Sequence, residues 1–95
     1  MIARVVTGQV DPSQGGAQRI RERLIPALQG MRGYKGGYWL NEPSSNNVVS
    51  VVLWESEADM GAAYGDAAVR EITESNRAGF RDGPHIATYE ITAQG

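Results

Sequence analysis

The sequence predicts an α+β fold with the element order β-α-β-β-α-β, the ferredoxin-like arrangement of an antiparallel sheet with two helices on one face. Four stretches rich in β-branched residues are interspersed with two stretches whose apolar residues recur at helical spacing. Glycine, proline, asparagine and aspartate stand at the boundaries between these stretches. Because the chain has 95 residues and contains neither a repeat nor a linker, residues 1–95 are expected to form a single domain.

The first strand is predicted over residues 2–10, which are β-branched and end at the sequence DPSQGG. A helix follows, either with Asp11 as its N-cap and Pro12 as its first residue, or with a later start near Ala17 because of the two intervening glycines. Its apolar residues recur at helical spacing up to the glycines that end it. Pro26 lies inside this pattern and removes a backbone hydrogen bond, so it is expected to kink or split the helix.

Two strands are predicted over 34–41 and 47–54, joined by the turn sequence NEPSSN. Ser56, with an aspartate three residues later, resembles a capping box and predicts the start of a second helix. The apolar stripe of this helix continues to Phe80, which predicts one helix over 57–80. After the turn RDGP, a last strand is predicted over 85–92.

The strand containing VVSVVLW is apolar on both faces, whereas a strand with one face in water should alternate apolar and polar residues. Two helices form only one covering layer, so the second face needs another cover. A second copy of the chain is the simplest cover, and a homodimer through the sheet face is predicted. The alternative is a central strand that is hydrophobic on both sides without a partner. The two sets of residues are Val49, Val51 and Leu53, and Val48, Val52 and Trp54.

Composition excludes several classes of function. The chain has no cysteine and one histidine, which excludes disulfides, thiolate metal sites and multi-histidine metal sites within one chain. No carboxylate spacing indicates a metal site either, so no metal is predicted. The net charge of −2 and the scattered basic residues argue against nucleic acid binding. No apolar run approaches the about 20 residues that span a bilayer, and the N-terminal segment is predicted to be a strand rather than a signal peptide. A cytoplasmic protein without a membrane partner is therefore expected.

Four segments resemble the antibiotic-biosynthesis-monooxygenase-like family of the dimeric α+β barrel superfamily. They are PAL at 26–28, GYKGGYWL at 33–40, SVVLWESEADM at 50–60 and PHIATYEI at 84–91. The resemblance spans nearly the whole chain. It implies the ferredoxin-like fold, dimerisation into an α+β barrel, and a pocket between the sheet and the helices of each subunit.

The resemblance also implies a chemistry that needs no metal or flavin, so no cofactor is predicted. In the family's monooxygenases, the anion of an electron-rich phenol or quinol reduces oxygen itself. The protein binds the ring in an apolar pocket and supplies a few hydrogen-bond donors. A small aromatic molecule is therefore the expected ligand.

Trp54 is the first candidate for a catalytic residue, because it occupies the position of the tryptophan in the family's Trp-Glu-Ser motif. Its indole N–H would donate to a substrate oxygen, whereas the alternative is that Trp54 packs the second helix onto the sheet. The family's monooxygenases place an asparagine and a tyrosine near this tryptophan, where this chain has Ser50 and Met60. Asn47 and Tyr64 are the nearby substitutes for substrate binding.

The aromatic residues Tyr38, Trp39 and Tyr89 are further candidates for contact with a substrate, with packing in the interface or core as the alternative. In a regular strand Tyr34 and Tyr38 share one face, and Trp39 lies on the other. A bulge at the adjacent glycines would exchange the faces, so the sequence leaves open which set lines the pocket.

His85 is the second candidate for a catalytic residue, as a base at the pocket mouth, and the alternative is an exposed histidine at a strand start. In the haem-degrading relatives the axial histidine lies on the second helix, and an asparagine lies on the first strand. Residues 57–80 contain no histidine, and the first strand has Thr7 and Gln9 but no asparagine, which argues against haem. Arg81 is expected either to attract an anionic substrate or to be a solvated charge.

The sequence therefore supports two functional hypotheses. The first is a cofactor-independent monooxygenase-like protein that acts on a small phenol- or quinol-type substrate in a pocket between the sheet and the helices. The second is a non-enzymatic small-ligand-binding or structural homodimer of the same fold. The incomplete Asn–Trp–Tyr set favours the second hypothesis more than the fold alone does.

Overall fold

The structure, a computed structural model, describes residues 1–11 and 16–95. Its strands and helices follow the predicted order, except that the second helix is in two parts. They are β1 (Ile2–Gln9), α1 (16–29), β2 (Tyr34–Asn41), β3 (Asn47–Trp54), α2 (Glu57–Gly65), α3 (Ala67–Arg77) and β4 (His85–Glu90). The predicted helix start at Pro12 lies outside the described residues.

The four strands form one antiparallel sheet in the order β2-β3-β1-β4, which confirms the predicted ferredoxin-like α+β fold. The two central strands pair along their whole length, from Ile2 opposite Trp54 to Gln9 opposite Asn47. Because side chains alternate along a strand, this register divides the sheet into a covered face under the helices and an open face. Trp54 and Val52 lie on the covered face and are buried.

Helix α1 changes its hydrogen-bonding pattern immediately before Pro26. It is α-helical over Gly16–Arg19, π-helical over Ile20–Leu24 and α-helical again over Ile25–Gln29. Pro26 stands in the first turn of the last segment, where its missing N–H is tolerated. Instead of the predicted kink or split, the structure has a π-helical segment before this proline, and the backbone stays helical through Leu24 and Ile25.

The second helix is not continuous over 57–80, as predicted, but breaks at Asp66. The backbone of Asp66 is extended, and its carboxylate accepts hydrogen bonds from the N–H groups of Ala68 at 3.0 Å and Val69 at 3.3 Å. Asp66 thus caps a new helix, as Ser56 caps α2 by accepting from Asp59 N–H at 3.1 Å. The apolar spacing continues across this break, which is why the pattern concealed it.

The ends of three predicted elements also differ from the structure. The first strand ends at Gln9 instead of residue 10, the last strand ends at Glu90 instead of residue 92, and α3 ends at Arg77 instead of residue 80. Phe80 therefore lies outside the helix, where its backbone forms an isolated bridge with Val10 beyond the end of β1.

A bulge in β2 decides which of its aromatic residues face the helices. Tyr34 lies opposite Trp54, but Gly36 lies opposite the next residue of β3, so Lys35 is the extra residue. Gly36 has a φ of 112°, a conformation that residues with a side chain rarely adopt. Beyond the bulge Trp39 is on the covered face with Tyr34, and Tyr38 is on the open face.

The core lies between the covered face and the helices. Seven buried residues form its central cluster: Leu24, Leu28, Val52, Trp54, Ala63, Val69 and Ile72. Within the described part of the chain, no helix is both long enough and apolar enough to cross a membrane.

Candidate functional site

A cavity of about 720 Å³ lies between the covered face of the sheet and helices α1 and α3. This volume is within the range of sites that take small organic molecules. Apolar side chains from the sheet and from α1 form much of its wall, and Ser50 contributes a hydroxyl from β3. The lining residues used below are Arg4, Val6, Ile20, Leu24, Trp39 and Ser50.

The cavity follows β1, since the residues of that strand that line it are Arg4, Val6 and, beyond the strand end, Val10. Arg4 is the residue nearest to the core, because its register partner on β3 is the buried Val52. At the other end, Phe80 lies across Gly8 so closely that a Cβ there would be 2.6 Å from the ring. Glycine at position 8 therefore leaves room for the Phe80 ring in the cavity wall.

Next to the Arg4 end of the cavity, aromatic rings pack in series. Trp54 is fully buried and meets Tyr34 and Tyr64 edge to face, with both ring centroids 5.6 Å from its own. The guanidinium carbon of Arg4 lies 3.9 Å from the centroid of the Tyr64 ring, which is cation–π geometry. This row of rings joins the core to the cavity, with the arginine at the cavity side.

Burial raises the pKa of the Tyr64 hydroxyl, and it does the same to Tyr34. The charge of Arg4 and the N–H of Trp54 oppose this shift in Tyr64, because both stabilise a tyrosinate. The buried Trp54 N–H has no hydrogen-bond partner within the described residues, so it acts on Tyr64 as a nearby dipole. Tyr64 is therefore a neutral phenol at physiological pH.

Polar contacts join the helices at the rim of the cavity. The Nε of Arg19 on α1 donates to the side-chain oxygen of Asn76 on α3 at 3.1 Å, and both residues line the cavity. This hydrogen bond connects the two helices that form the roof. It also fixes one side of the Arg19 guanidinium, so that this cation stays at the rim.

Three of the candidates from the sequence lie on the covered side of the sheet. Trp39 lines the cavity and is half-buried. Trp54 is in the core beside the cavity and is absent from its wall, and Tyr64 connects Trp54 to Arg4. Trp54 thus packs in the core between the helices and the sheet, as one alternative predicted. It also retains an N–H without a hydrogen-bond partner among the described residues.

The other five candidates are away from this cavity. Tyr38 and Tyr89 are on the open face, with 65% and 56% of their surface exposed. Their register partners on the neighbouring strands, Val51 and Ala3, lie on the same face. Neither residue lines this cavity, and their positions fit the alternative of packing in an interface. The other three candidates are also exposed and do not line the cavity. They are Asn47 and His85, at the starts of strands, and Arg81, in the segment before β4.

Sequence reasoning missed Arg4 as a functional residue and treated it only as a strand charge. The available signal was its position, since Ile2, Arg4 and Val6 alternate on one face and the arginine interrupts an otherwise apolar set. Among the described residues, no group of three or more His, Cys, Asp or Glu side chains is placed to hold a metal ion. That no cofactor is needed remains a prediction.

No protein-family model and no curated protein matches the chain. Solved structures of the same fold do match. A mutant form of SnoaB, a cofactor-independent oxygenase from Streptomyces nogalater, has a TM-score of 0.84 and 13% identity, over 98% of this chain and 94% of that chain.

Two other structures match similarly. A monooxygenase from the gene ActVA-Orf6 of Streptomyces coelicolor, in complex with nanaomycin D, has a TM-score of 0.81 and 21% identity, over 99% of this chain and 88% of that chain. A conserved protein from Methanosarcina mazei Go1 has a TM-score of 0.79 and 17% identity, over 94% and 91%. The resemblance to monooxygenase-like proteins is thus confirmed at the level of the fold, which is what identities this low establish.

Proposed function

We propose that the chain acts as a single-domain, cofactor-independent monooxygenase-like protein on a small aromatic substrate of the phenol or quinol type. The observation that carries this proposal is the cavity of about 720 Å³ between the sheet and the helices. Its size suits a fused aromatic ring system, and its wall combines apolar side chains with the Ser50 hydroxyl and the Arg4 guanidinium. Structural neighbours that are oxygenases of this fold add support.

The proposed chemistry uses the substrate as the reductant. A ring carbon bearing two hydrogens, activated by a neighbouring phenol or keto group, loses a proton and gives its electrons to O2, so that a C–O bond forms. Protonation gives a hydroperoxide at that carbon, and loss of water from it breaks the O–O bond and leaves a carbonyl. One oxygen atom enters the product and the other leaves as water, which balances the reaction without an added reductant.

In this reaction the protein would exclude water and stabilise anionic oxygen. Val6, Ile20 and Leu24 supply the apolar wall, and Trp39 offers a flat surface for a ring. Donors near the covered face then favour the substrate anion over its neutral form, because electrostatic stabilisation is strong where water is excluded. The Arg4 end of the cavity is the place where such a donor is found.

Oxygen consumption and quinone formation would test this proposal with a panel of anthrones and hydroquinones. We expect at least one substrate to be turned over above the buffer rate, with a lower rate in Trp54→Phe. Ser50→Ala changes the cavity wall, and Ser75→Ala, at an exposed position, is its matched control. No turnover of any panel member would contradict the enzyme proposal for this substrate class.

A non-enzymatic ligand-binding or structural homodimer is the second candidate function, and one observation favours it. The N–H of Trp54 is buried behind the cavity wall and has no partner within the described residues, so it does not reach into the cavity. Without that donor, the chain would keep the pocket and lack part of the chemistry. If the chain has this function, we expect it to bind a member of the panel without consuming oxygen.

We also propose that two copies of the chain pair through the open face. This face carries the exposed Tyr38, Leu40 and Tyr89 around half-buried Val51 and Leu53, and no helix of the described chain covers it. Large apolar side chains clustered on one face are typical of a protein–protein interface. A second copy is the occupant we infer because its open face offers the same aromatic and aliphatic side chains, which suits a self-complementary interface.

A further inference from the structure

Arg4 is a cation inside the covered side of the sheet. It lies on β1 between Ile2 and Val6, lines the cavity and is half-buried. Its guanidinium is 3.9 Å from the Tyr64 ring centroid, so one face is occupied by an aromatic ring. The ring of a neutral tyrosine reduces the cost of burying the charge but does not neutralise it.

No carboxylate in the described residues lies within 4.0 Å of Arg4. Three ion pairs form among the described residues, and none of their members lines the cavity: Arg23–Glu71, Arg32–Asp59 and Lys35–Glu55. The four residues outside the description, 12–15, carry no acidic side chain. A half-buried guanidinium without a counter-ion is unfavourable, because water solvates it only in part.

The charge of the cavity wall differs in sign from that of the chain. The whole chain has a net charge of −2, but the described residues that line the cavity include four arginines and two carboxylates. A cavity lined by one predominant charge concentrates ligands of the opposite charge. These charged residues are Arg4, Arg19, Arg21, Arg77, Asp11 and Glu74.

Arg4 differs from the other cations of the wall in its depth. Arg21 and Arg77 are exposed, and Arg19 is bonded to Asn76 at the rim. Along β1, Arg4 lies closer to the core than Val6 does, at a position where apolar residues limit the access of water. A charge-assisted hydrogen bond to Arg4 would therefore be less screened by solvent than one formed at the rim.

We propose that Arg4 is the anion-binding residue of the cavity and that its ligand is an aromatic anion, with a carboxylate or phenolate oxygen at Arg4. The ring of the ligand lies between Trp39 and the apolar residues of α1. This inference rests on the proposed function only for the location of the site. Binding and its charge selectivity do not require turnover.

The test is a comparison of matched anionic and neutral ligands by titration calorimetry at pH 7. The first pair is 2-naphthoate and 2-naphthamide, and the second is 2,4-dinitrophenolate and 2,4-dinitroanisole. We expect the chain to bind at least one anion about tenfold more tightly than its neutral partner. If only the first pair shows the preference, the ligand of Arg4 is a carboxylate. If only the second pair shows it, the ligand is a phenolate.

Three variants locate the selectivity. Arg4→Gln removes the charge and is expected to reduce the preference to less than about twofold, whereas Arg4→Lys retains part of it. Arg70→Gln removes an exposed arginine of α3 that does not line the cavity and is expected to leave the preference unchanged. Circular dichroism and cooperative unfolding establish that each variant is folded.

A second route tests the site without removing the arginine. Thr88 is the register partner of Arg4 on β4 and is exposed, so Thr88→Asp would place a carboxylate beside the guanidinium. We expect Thr88→Asp to lose the preference for anions and the uncharged Thr88→Asn to keep it. This pair gives an answer even if Arg4→Gln does not fold.

Equal binding of anionic and neutral ligands, binding of neither, or a preference that survives both Arg4→Gln and Thr88→Asp would overturn the proposal. An Arg4-dependent preference without oxidation of any phenol would support this inference and contradict the enzyme proposal. Oxidation of a panel member by the wild-type chain, without any Arg4-dependent preference for anions, would do the reverse.

Discussion

The two faces of the sheet use aromatic residues in opposite ways. On the covered face Trp54, Tyr34 and Tyr64 pack edge to face, and Trp54 has no exposed surface. On the open face Tyr38 and Tyr89 expose more than half of their surface. Residue type therefore does not tell the two roles apart, and the position of each ring relative to the helices does.

The faces also differ in how charge is placed. The covered face has a half-buried arginine with a ring on one side and the cavity on the other, whereas the centre of the open face is aliphatic, with Val5 opposite Val51 and Val49 two residues away on the same strand. The first arrangement suits a small polar ligand in an enclosed space. The second suits a flat surface of another protein. Each prediction below alters one face and leaves the other as an internal reference.

The largest effect is expected from Trp54→Ala on the covered face. Removing a fully buried ring leaves a space that its aromatic neighbours cannot fill, which costs about 3–5 kcal/mol of the free energy of unfolding. Urea denaturation followed by circular dichroism measures this loss. Trp39→Ala, at a half-buried position in the cavity wall, is the matched control and should cost less. Equal losses would mean that Trp54 is not the main packing residue of this face.

On the open face, Tyr38→Lys is expected to weaken the homodimer by about 30-fold, the change that corresponds to the about 2 kcal/mol of an interface hot spot. Because Tyr38 is 65% exposed, the lysine should leave the fold of each subunit intact. Light scattering over a range of concentrations measures the dissociation. Ala68→Lys, on the exposed surface of α3, is the control and should remain dimeric. A wild-type chain that is monomeric at micromolar concentration would refute the interface.

The bulge that separates the two faces is sensitive to Gly36. Nothing lies within 4 Å of a Cβ at this position, so Gly36→Ala has room, and its φ of 112° is the only obstacle. We expect a loss of about 1–2 kcal/mol in the free energy of unfolding. Gly61→Ala, inside α2 and also without neighbours, should instead gain about 0.5–1 kcal/mol. Similar signs for the two variants would argue against the bulge geometry.

The smallest effect concerns pH. Burial raises the pKa of Tyr64 above the value in an unfolded chain, about 10. Above pH 10 the unfolded state therefore loses this proton first, and the stability that depends on the neutral phenol falls as pH rises toward the folded-state pKa. Tyr64→Phe should lose less stability than wild type between pH 9 and pH 11 in urea denaturation. An equal or greater loss in the variant would contradict the assigned cause.

The fold could be predicted from the sequence because its signals are local. Ser56 caps a helix wherever the following residues can be helical, and the strands 34–41 and 47–54 end at the residues that their turn sequence indicates. Asp66 has the same capping chemistry as Ser56, but the apolar spacing on both sides of it fits one long helix. Apolar periodicity therefore does not detect a helix cap when the apolar residues before and after it continue at the same helical spacing.

The candidate site could be predicted only in part, because it depends on contacts between distant segments. The face on which Trp39 lies follows from the conformation of Gly36, which the sequence permits but does not impose. Arg4 becomes a cavity residue only when α1 and α3 cover β1, and before that it has the pattern of an exposed strand charge. Family resemblance indicated Trp54 as a donor to a substrate, whereas its position in the core behind the cavity wall depends on how the helices pack on the sheet.

The extra residue Lys35 sets which face each later residue of β2 occupies, as long as the bulge is kept. Every position after it, through Asn41, lies on the covered face or the open face according to whether an even or odd number of residues separates it from the bulge. A single insertion or deletion at this point would therefore exchange Trp39 with Tyr38 in one step. The number of residues in this segment, together with the conformation of Gly36, therefore decides which aromatic ring faces the helices and which faces away from them.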